Sequence, residues 1–176
     1  DEVPIFATTV RAEPPCVVQI DGELFRRVET YKHDSWAATA VYQSRTRRAI
    51  CKFNRQQSIL GFPMRWLGRR LAARERHFLD QLNGIEGVPA SLGPVKSADR
   101  TLDHAVAREF IDGHALADHE QLRDGFFPRL RHMLAEVHRR GVAHVDLHKR
   151  ENILVDPQGN PHLIDFQISF GTGHRG

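Results

Sequence analysis

Residues 142–169 read VAHVDLHKRENILVDPQGNPHLIDFQIS, and the fold turns on how this stretch is read. Two short apolar runs, Asn152-Ile153-Leu154-Val155 and His162-Leu163-Ile164, flank Asp156-Pro157-Gln158-Gly159-Asn160. Apolar runs of this length on either side of a Pro/Gly/Asn turn predict a β-hairpin. His144-x-Asp146 precedes the first run, Asn152 opens it, and Asp165-Phe166 follows the second. A hairpin returns the chain to the level at which it began, so Asp146, Asn152 and Asp165 are expected near one end. Three oxygen-bearing side chains there suit Mg2+, which takes hard oxygen ligands, and a phosphate-bearing substrate beside it. Taken singly, each Asp is as well explained as a turn cap. It is their order along the chain, together with what precedes them, that points to chemistry.

Upstream, Phe127, Leu130, Met133, Leu134 and Val137 recur at helical spacing over residues 126–140, and Gly141 supplies a stop. Residues 116–122 read as a short helix or turn. Strands are expected near 93–96 and 105–110, paired as a hairpin, the second running into Glu109-Phe110-Ile111-Asp112-Gly113. A long helix is expected over 64–83, where Trp66, Leu67, Leu71, Phe78, Leu79 and Leu82 share the helical period. It carries Arg65, Arg69, Arg70, Arg74 and Arg76, and Glu75 is its only carboxylate before Asp80. Ahead of it, Arg48-Ala49-Ile50-Cys51-Lys52-Phe53 predicts a strand with a lysine among apolar neighbours. Burying that lysine is costly unless it is paired, and Glu75 is the candidate partner. Strands at 24–29 and 37–42 are joined by Tyr31-Lys32-His33-Asp34-Ser35-Trp36, which has no glycine. Residues 1–23 read as an irregular lead-in with one strand at 16–20.

Taken in order, these motifs resemble the protein-kinase-like superfamily. HxD and Asn before one strand, then DF after the next, are similar to its catalytic and metal-binding segments. RAICKF is similar to its V-A-I-K strand, and residues 109–113 to the hinge between its lobes. Within the superfamily the chain resembles the bacterial lipopolysaccharide core kinases, the Kdo and heptose kinases, and their RIO-like relatives. His148, two residues after Asp146, and the run RWLGRRLAARERHFLDQLNGIEGVP carry that likeness, which extends over roughly residues 24–170.

The resemblance implies an α+β, two-lobe fold. Residues 1–113 would form an amino-terminal lobe with a five-stranded antiparallel sheet, one long helix and a hinge at 109–113. Residues 114–176 would form a truncated, mainly helical second lobe. It also implies ATP and Mg2+ as cofactors. Asp146 would orient the attacking hydroxyl, Lys52 would hold the α/β-phosphates, and Glu75 would hold Lys52. His148 or Lys149 would neutralise charge near the γ-phosphate, and Ser35 would lie in the loop over the phosphates. The backbone carbonyl of Glu109 and the N–H of Ile111 would read the adenine edge. Asn152 and Asp165 would hold the metal. The usual pattern has four residues between the catalytic Asp and the Asn. Here there are five, Leu147 to Glu151, so Glu151 is an alternative ligand to Asn152. Gln167 stands where a glycine would give the DF segment the freedom to flip, so no switchable activation segment is expected.

The acceptor implied is a sugar or glycolipid hydroxyl at the cytoplasmic face of a membrane. The alternatives are a RIO-like protein serine kinase and a pseudokinase that binds nucleotide without transfer. Over 176 residues, 40% hydrophobic and 27% charged residues describe a globular chain. A net charge of +3 with pI near 9.2 fits an anionic partner such as ATP, a phosphorylated glycan or an anionic membrane surface. It is too small to imply nucleic acid. Cys16 and Cys51 have neither metal-ligand spacing nor a disulfide framework, so a reduced, cytoplasmic setting is expected. Asp1 at the start and GTGHRG at the end suggest a fragment or a processed chain.

Overall fold

A computed structural model describes residues 13–33, 37–54, 65–143, 152–164 and 170–171. The first four strands are β1 (Val17–Ile20), β2 (Glu23–His33), β3 (Ala37–Gln43) and β4 (Arg48–Asn54), followed by helix α1 (Arg65–Gln81). Next come β5 (Lys96–Ser97), β6 (Arg100–Thr101), β7 (Ala105–Glu109) and β8 (His114–Ala115). Helix α2 (Phe126–Arg139) precedes β9 (Val142–Ala143), β10 (Ile153–Val155), β11 (Pro161–Leu163) and β12 (Phe170–Gly171). The class is α+β.

The main sheet is curled and antiparallel, with seven strands in the order β6-β5-β1-β2-β3-β4-β7. Seven replace the five expected, for two reasons. β1 joins the sheet through β2, pairing Val17 with Arg26 and Ile20 with Glu23. The segment expected as one strand at 93–96 instead ends in a tight hairpin, β5–β6, whose Lys96 pairs with Gln19 of β1. Residues 93–96 therefore do not pair with 105–110. Against β7 lie residues 90–92: Leu92 N–H donates to the Ala107 carbonyl and Glu109 N–H to the Ala90 carbonyl.

Strand alternation separates the two faces of this sheet. Val18, Ile20, Phe25, Ala40, Tyr42, Cys51, Phe53 and Ala107 close a core inside the curl. Tyr42 is fully buried, and its hydroxyl donates to the Pro15 carbonyl at 2.7 Å, so the polar tip is satisfied. A second core joins Ala72, Phe78 and Leu79 of α1, Val106 of β7, Met133 and Val137 of α2, and Ile153, Val155 and Leu163 of the last hairpin.

That hairpin forms as expected, with Ile153 opposite Leu163 and Val155 opposite Pro161. Its turn is organised by Asp156, whose carboxylate accepts from the N–H groups of Gln158 and Asn160 and pairs with His162 Nε2 at 2.8 Å. Burial raises the Asp156 carboxyl, but the hydrogen bonds from His162 and Asn160 outweigh it and hold the group below its ordinary value. Helix α1 buries the stripe Gly68, Ala72, Glu75, Phe78 and Leu79. Helix α2 stops where expected, with Gly141 at a positive φ and its N–H on the His138 carbonyl.

One expectation for residues 114–176 needs correction. Among the described residues α2 is the one helix there, and five short strands accompany it, so this part is not mainly helical. Of the short helix or turn expected at 116–122, the turn forms, at residues 118–119. Just before it the chain pairs Ala115 with Leu154, and the Leu116 N–H continues that ladder by donating to the Ile153 carbonyl.

Candidate functional site

Between the outer face of the sheet and the last hairpin lies a cleft of about 490 Å³. The sheet wall follows from register: Thr39 stands opposite Lys52, Lys52 opposite Val106, and Ile50 opposite Arg108. These residues point into the cleft because their neighbours Ala49, Cys51, Phe53 and Ala107 point into the core. The opposite wall is Asn152, Leu154 and Ile164, and the segment Phe110, Ile111 and Gly113 closes one side. Gly113 has φ +156, and a Cβ there would stand 2.6 Å from the Val155 carbonyl oxygen. A side chain at 113 would thus push this segment off β10.

The charge in the cleft is ordered. Lys52 Nζ lies 3.5 Å from Glu75 Oε2, and the two side chains are 17% and 6% exposed. Glu75 reaches the cleft because it lies in the buried stripe of α1, among Ala72 and Phe78 rather than on the arginine face. A cation held beside a buried carboxylate keeps its position without a ligand. Asn152 is buried on the facing wall, and its carbonyl accepts from the Ile164 N–H at 3.1 Å. Apolar Ile50 and Val106 on one wall, with Leu154 and Ile164 on the other, leave an apolar slot between them.

Of the residues singled out in the sequence, Lys52, Glu75, Ile111 and Asn152 line this cleft together. Glu109 lies at its margin without lining it: its carbonyl takes the Arg108 guanidinium at 3.4 Å, and its carboxylate faces the Ala90 N–H. Asp146, His148, Lys149, Glu151, Asp165, Gln167 and Ser35 lie outside the described residues. Among the described residues no group of three or more His, Cys, Asp or Glu side chains could hold a metal ion. Asn152 is the described oxygen donor on the hairpin wall, and Asp165 follows directly on Ile164.

Sequence reasoning did not single out Tyr31, Thr39, Arg108 or Phe110 as lining residues. The alternation in AVARE carried a signal for Arg108, since Val106 and Arg108 must share the face opposite Ala105 and Ala107. Phe110 is steadied by the Arg48 guanidinium, 3.9 Å from its ring centroid. No protein-family model matches the chain, and no curated protein matches it. The cleft is accordingly read from its own residues.

Proposed function

We propose that this chain binds Mg-ATP in the cleft and transfers a phosphoryl group to an alcohol, the acceptor being a sugar of a lipopolysaccharide-type glycolipid. The observation that carries the reading is the buried Lys52–Glu75 pair on a cleft wall whose other side is Asn152 and an apolar slot. A cation fixed in this way, across a cleft of this size from Asn152, suits a phosphate chain. The slot suits the attached base. On this reading the chain has the two lobes of a protein-kinase-like fold, divided at residues 109–113.

When bound, Mg-ATP supplies the transferable phosphoryl group and a metal that neutralises its charge. Lys52 then holds the α/β-phosphates by charge, and Glu75 keeps Lys52 from turning away. The Ile111 N–H offers a donor to the ring edge, while the Glu109 carbonyl is an acceptor at the margin. Asn152 and Asp165 are the oxygen ligands for the metal. Asp146 orients the acceptor hydroxyl and takes its proton, with His148 or Lys149 countering charge at the transferred group and Ser35 above the phosphates. Phosphoryl transfer asks chiefly for positioning and charge neutralisation, which these residue types supply. On this reading the chain works in the cytoplasm, at the inner face of a membrane that carries the acceptor. Among the described residues no helix is long and apolar enough to cross a membrane.

The test is a thermal-unfolding titration with ATP, with and without Mg2+, on the wild type and on Lys52→Met. Ligand at about a hundred times its Kd adds roughly 2.7 kcal/mol of stability. A Mg-dependent rise in melting temperature that Lys52→Met removes supports the reading. No rise in the wild type, or an equal rise in both, rejects it. Transfer of labelled phosphate to purified glycolipid but not to protein then selects the sugar acceptor.

A further inference from the structure

Helix α1 has a second face that the cleft does not use. At 3.6 residues per turn, Trp66, Arg69, Arg70, Ala73 and His77 fall on one side, opposite the buried stripe through Ala72 and Glu75. All five are exposed, as is Arg65, and Trp66 is 55% exposed. The helix carries five arginines against Glu75 and Asp80, which leaves it at +3, the whole formal excess of the chain.

The arginines of this helix fall into two groups. Arg74 lies over the Phe78 ring, and Arg76 donates to the Ala105 carbonyl, so both are tied to the protein. Arg65, Arg69 and Arg70 make no ion pair among the described residues. They also stand at the end of the helix where the backbone dipole is already positive, and its first turn holds no acidic residue. Exposed to solvent, these three cations are open to attraction by an anionic surface.

We infer that this face of α1 docks on an anionic lipid bilayer, with Trp66 in the interfacial layer and Arg65, Arg69 and Arg70 on the lipid phosphates. Charge complementarity supplies the attraction, and an exposed indole one turn from the arginines is what distinguishes a lipid interface from a merely anionic one. An amphipathic ring beside basic side chains suits the headgroup level, where its apolar body and its N–H both find partners. The face is independent of nucleotide, so its test succeeds or fails apart from the phosphotransferase reading.

The experiment is co-sedimentation of the full chain with vesicles of phosphatidylcholine alone or mixed with phosphatidylserine, at low and high salt. Binding is expected to the anionic vesicles only and to weaken with salt. Arg69→Glu/Arg70→Glu should weaken it at least about tenfold, since each basic contact near such a surface contributes several-fold, whereas Arg69→Lys/Arg70→Lys should retain most of it. Of the two tryptophans, Trp36→Phe leaves Trp66 as the sole emitter, and its fluorescence should shift to the blue on anionic vesicles. Trp66→Ser, in a chain otherwise unchanged, should weaken binding independently of charge. The inference is overturned if the wild type ignores anionic vesicles or if charge reversal leaves binding unchanged. It is equally overturned if the chain binds nucleic acid and not vesicles.

Discussion

The two sides of strand β4 carry different kinds of residue. Ala49, Cys51 and Phe53 face the core inside the curled sheet, whereas Ile50 and Lys52 face the cleft. On the core side every group is satisfied by burial alone. Even the Cys51 thiol, pushed up to about 12 by burial, behaves there as a small apolar group. On the cleft side a cation and a carboxylate share a largely buried position at 3.5 Å. Such a pair seldom stabilises a fold more than apolar residues of the same size would. One side of the strand is thus accounted for by folding alone, while the other carries a charged pair that apolar residues could replace.

The largest effect should come from the core side. Phe53 packs between the Tyr42 and His104 rings, with centroids 6.2 Å away in each case. Phe53→Ala should cost about 3–5 kcal/mol in urea unfolding, the usual range for an aromatic removed from a core. The Mg-ATP shift, measured at a temperature where the variant is folded, should survive. Loss of both together would mean that the two sides of the strand are not separable.

A smaller loss of stability, with a complete loss of function, is expected from the cleft side. Lys52→Met takes the cation from the buried Glu75 carboxylate and should cost about 2 kcal/mol, below the range for fully buried pairs because Lys52 keeps some exposure. Lys52→Met/Glu75→Leu should recover most of that in the same urea experiment. Neither variant should show a Mg-dependent shift. If the double variant stays as unstable as the single one, the pair is there for folding, and the contrast between the two sides of β4 collapses.

Much of this was legible in the sequence because it depends on local pattern. The alternation around Lys52, the Gly141 stop and the hairpin turn at Asp156 each follow from neighbours within one or two turns of chain, whereas the helical stripe expected through Trp66, Leu67 and Leu71 gives way to one through Gly68, Ala72 and Glu75. What escaped depends on partners far away. Two-residue strands such as β5 and β8 have no periodicity to detect, and which strand Lys96 would meet was set by the curl of the sheet. Arg108 and Phe110 enter the cleft because β7 lies beside β4, a pairing between segments about fifty residues apart. Lys52, Glu75, Ile111 and Asn152 were therefore visible in the sequence, whereas Arg108 and Thr39 join them only once the strands are in register. Asp146 and Asp165 lie outside the described residues, and so does the expected meeting of these two with Asn152 at the hairpin mouth.

The smallest predicted effect probes the edge of the core. His104 is half-buried against Phe53, and its carbonyl accepts from both the Asn54 N–H and the Asn54 side-chain amide. Burial lowers its pKa, and nearby Asp103 opposes that without cancelling it. A histidine held neutral in the fold binds a proton more readily once unfolded, where it titrates near pH 6.5. Its contribution is therefore complete above about pH 6.5 and is lost as pH falls through the lower folded value. Melting temperatures of the wild type should fall between pH 7 and pH 5 more steeply than those of His104→Gln. The depressed Asp156 carboxyl acts in the same direction but at more acid pH, near the carboxylate range, and does not overlap this window. Equal slopes in the two proteins would mean that His104 takes up its proton without cost and that the core side of β4 is open to water at that edge. The Mg-ATP shift should be the same for both proteins at pH 7, because His104 lies on the side of the strand that Lys52 does not share.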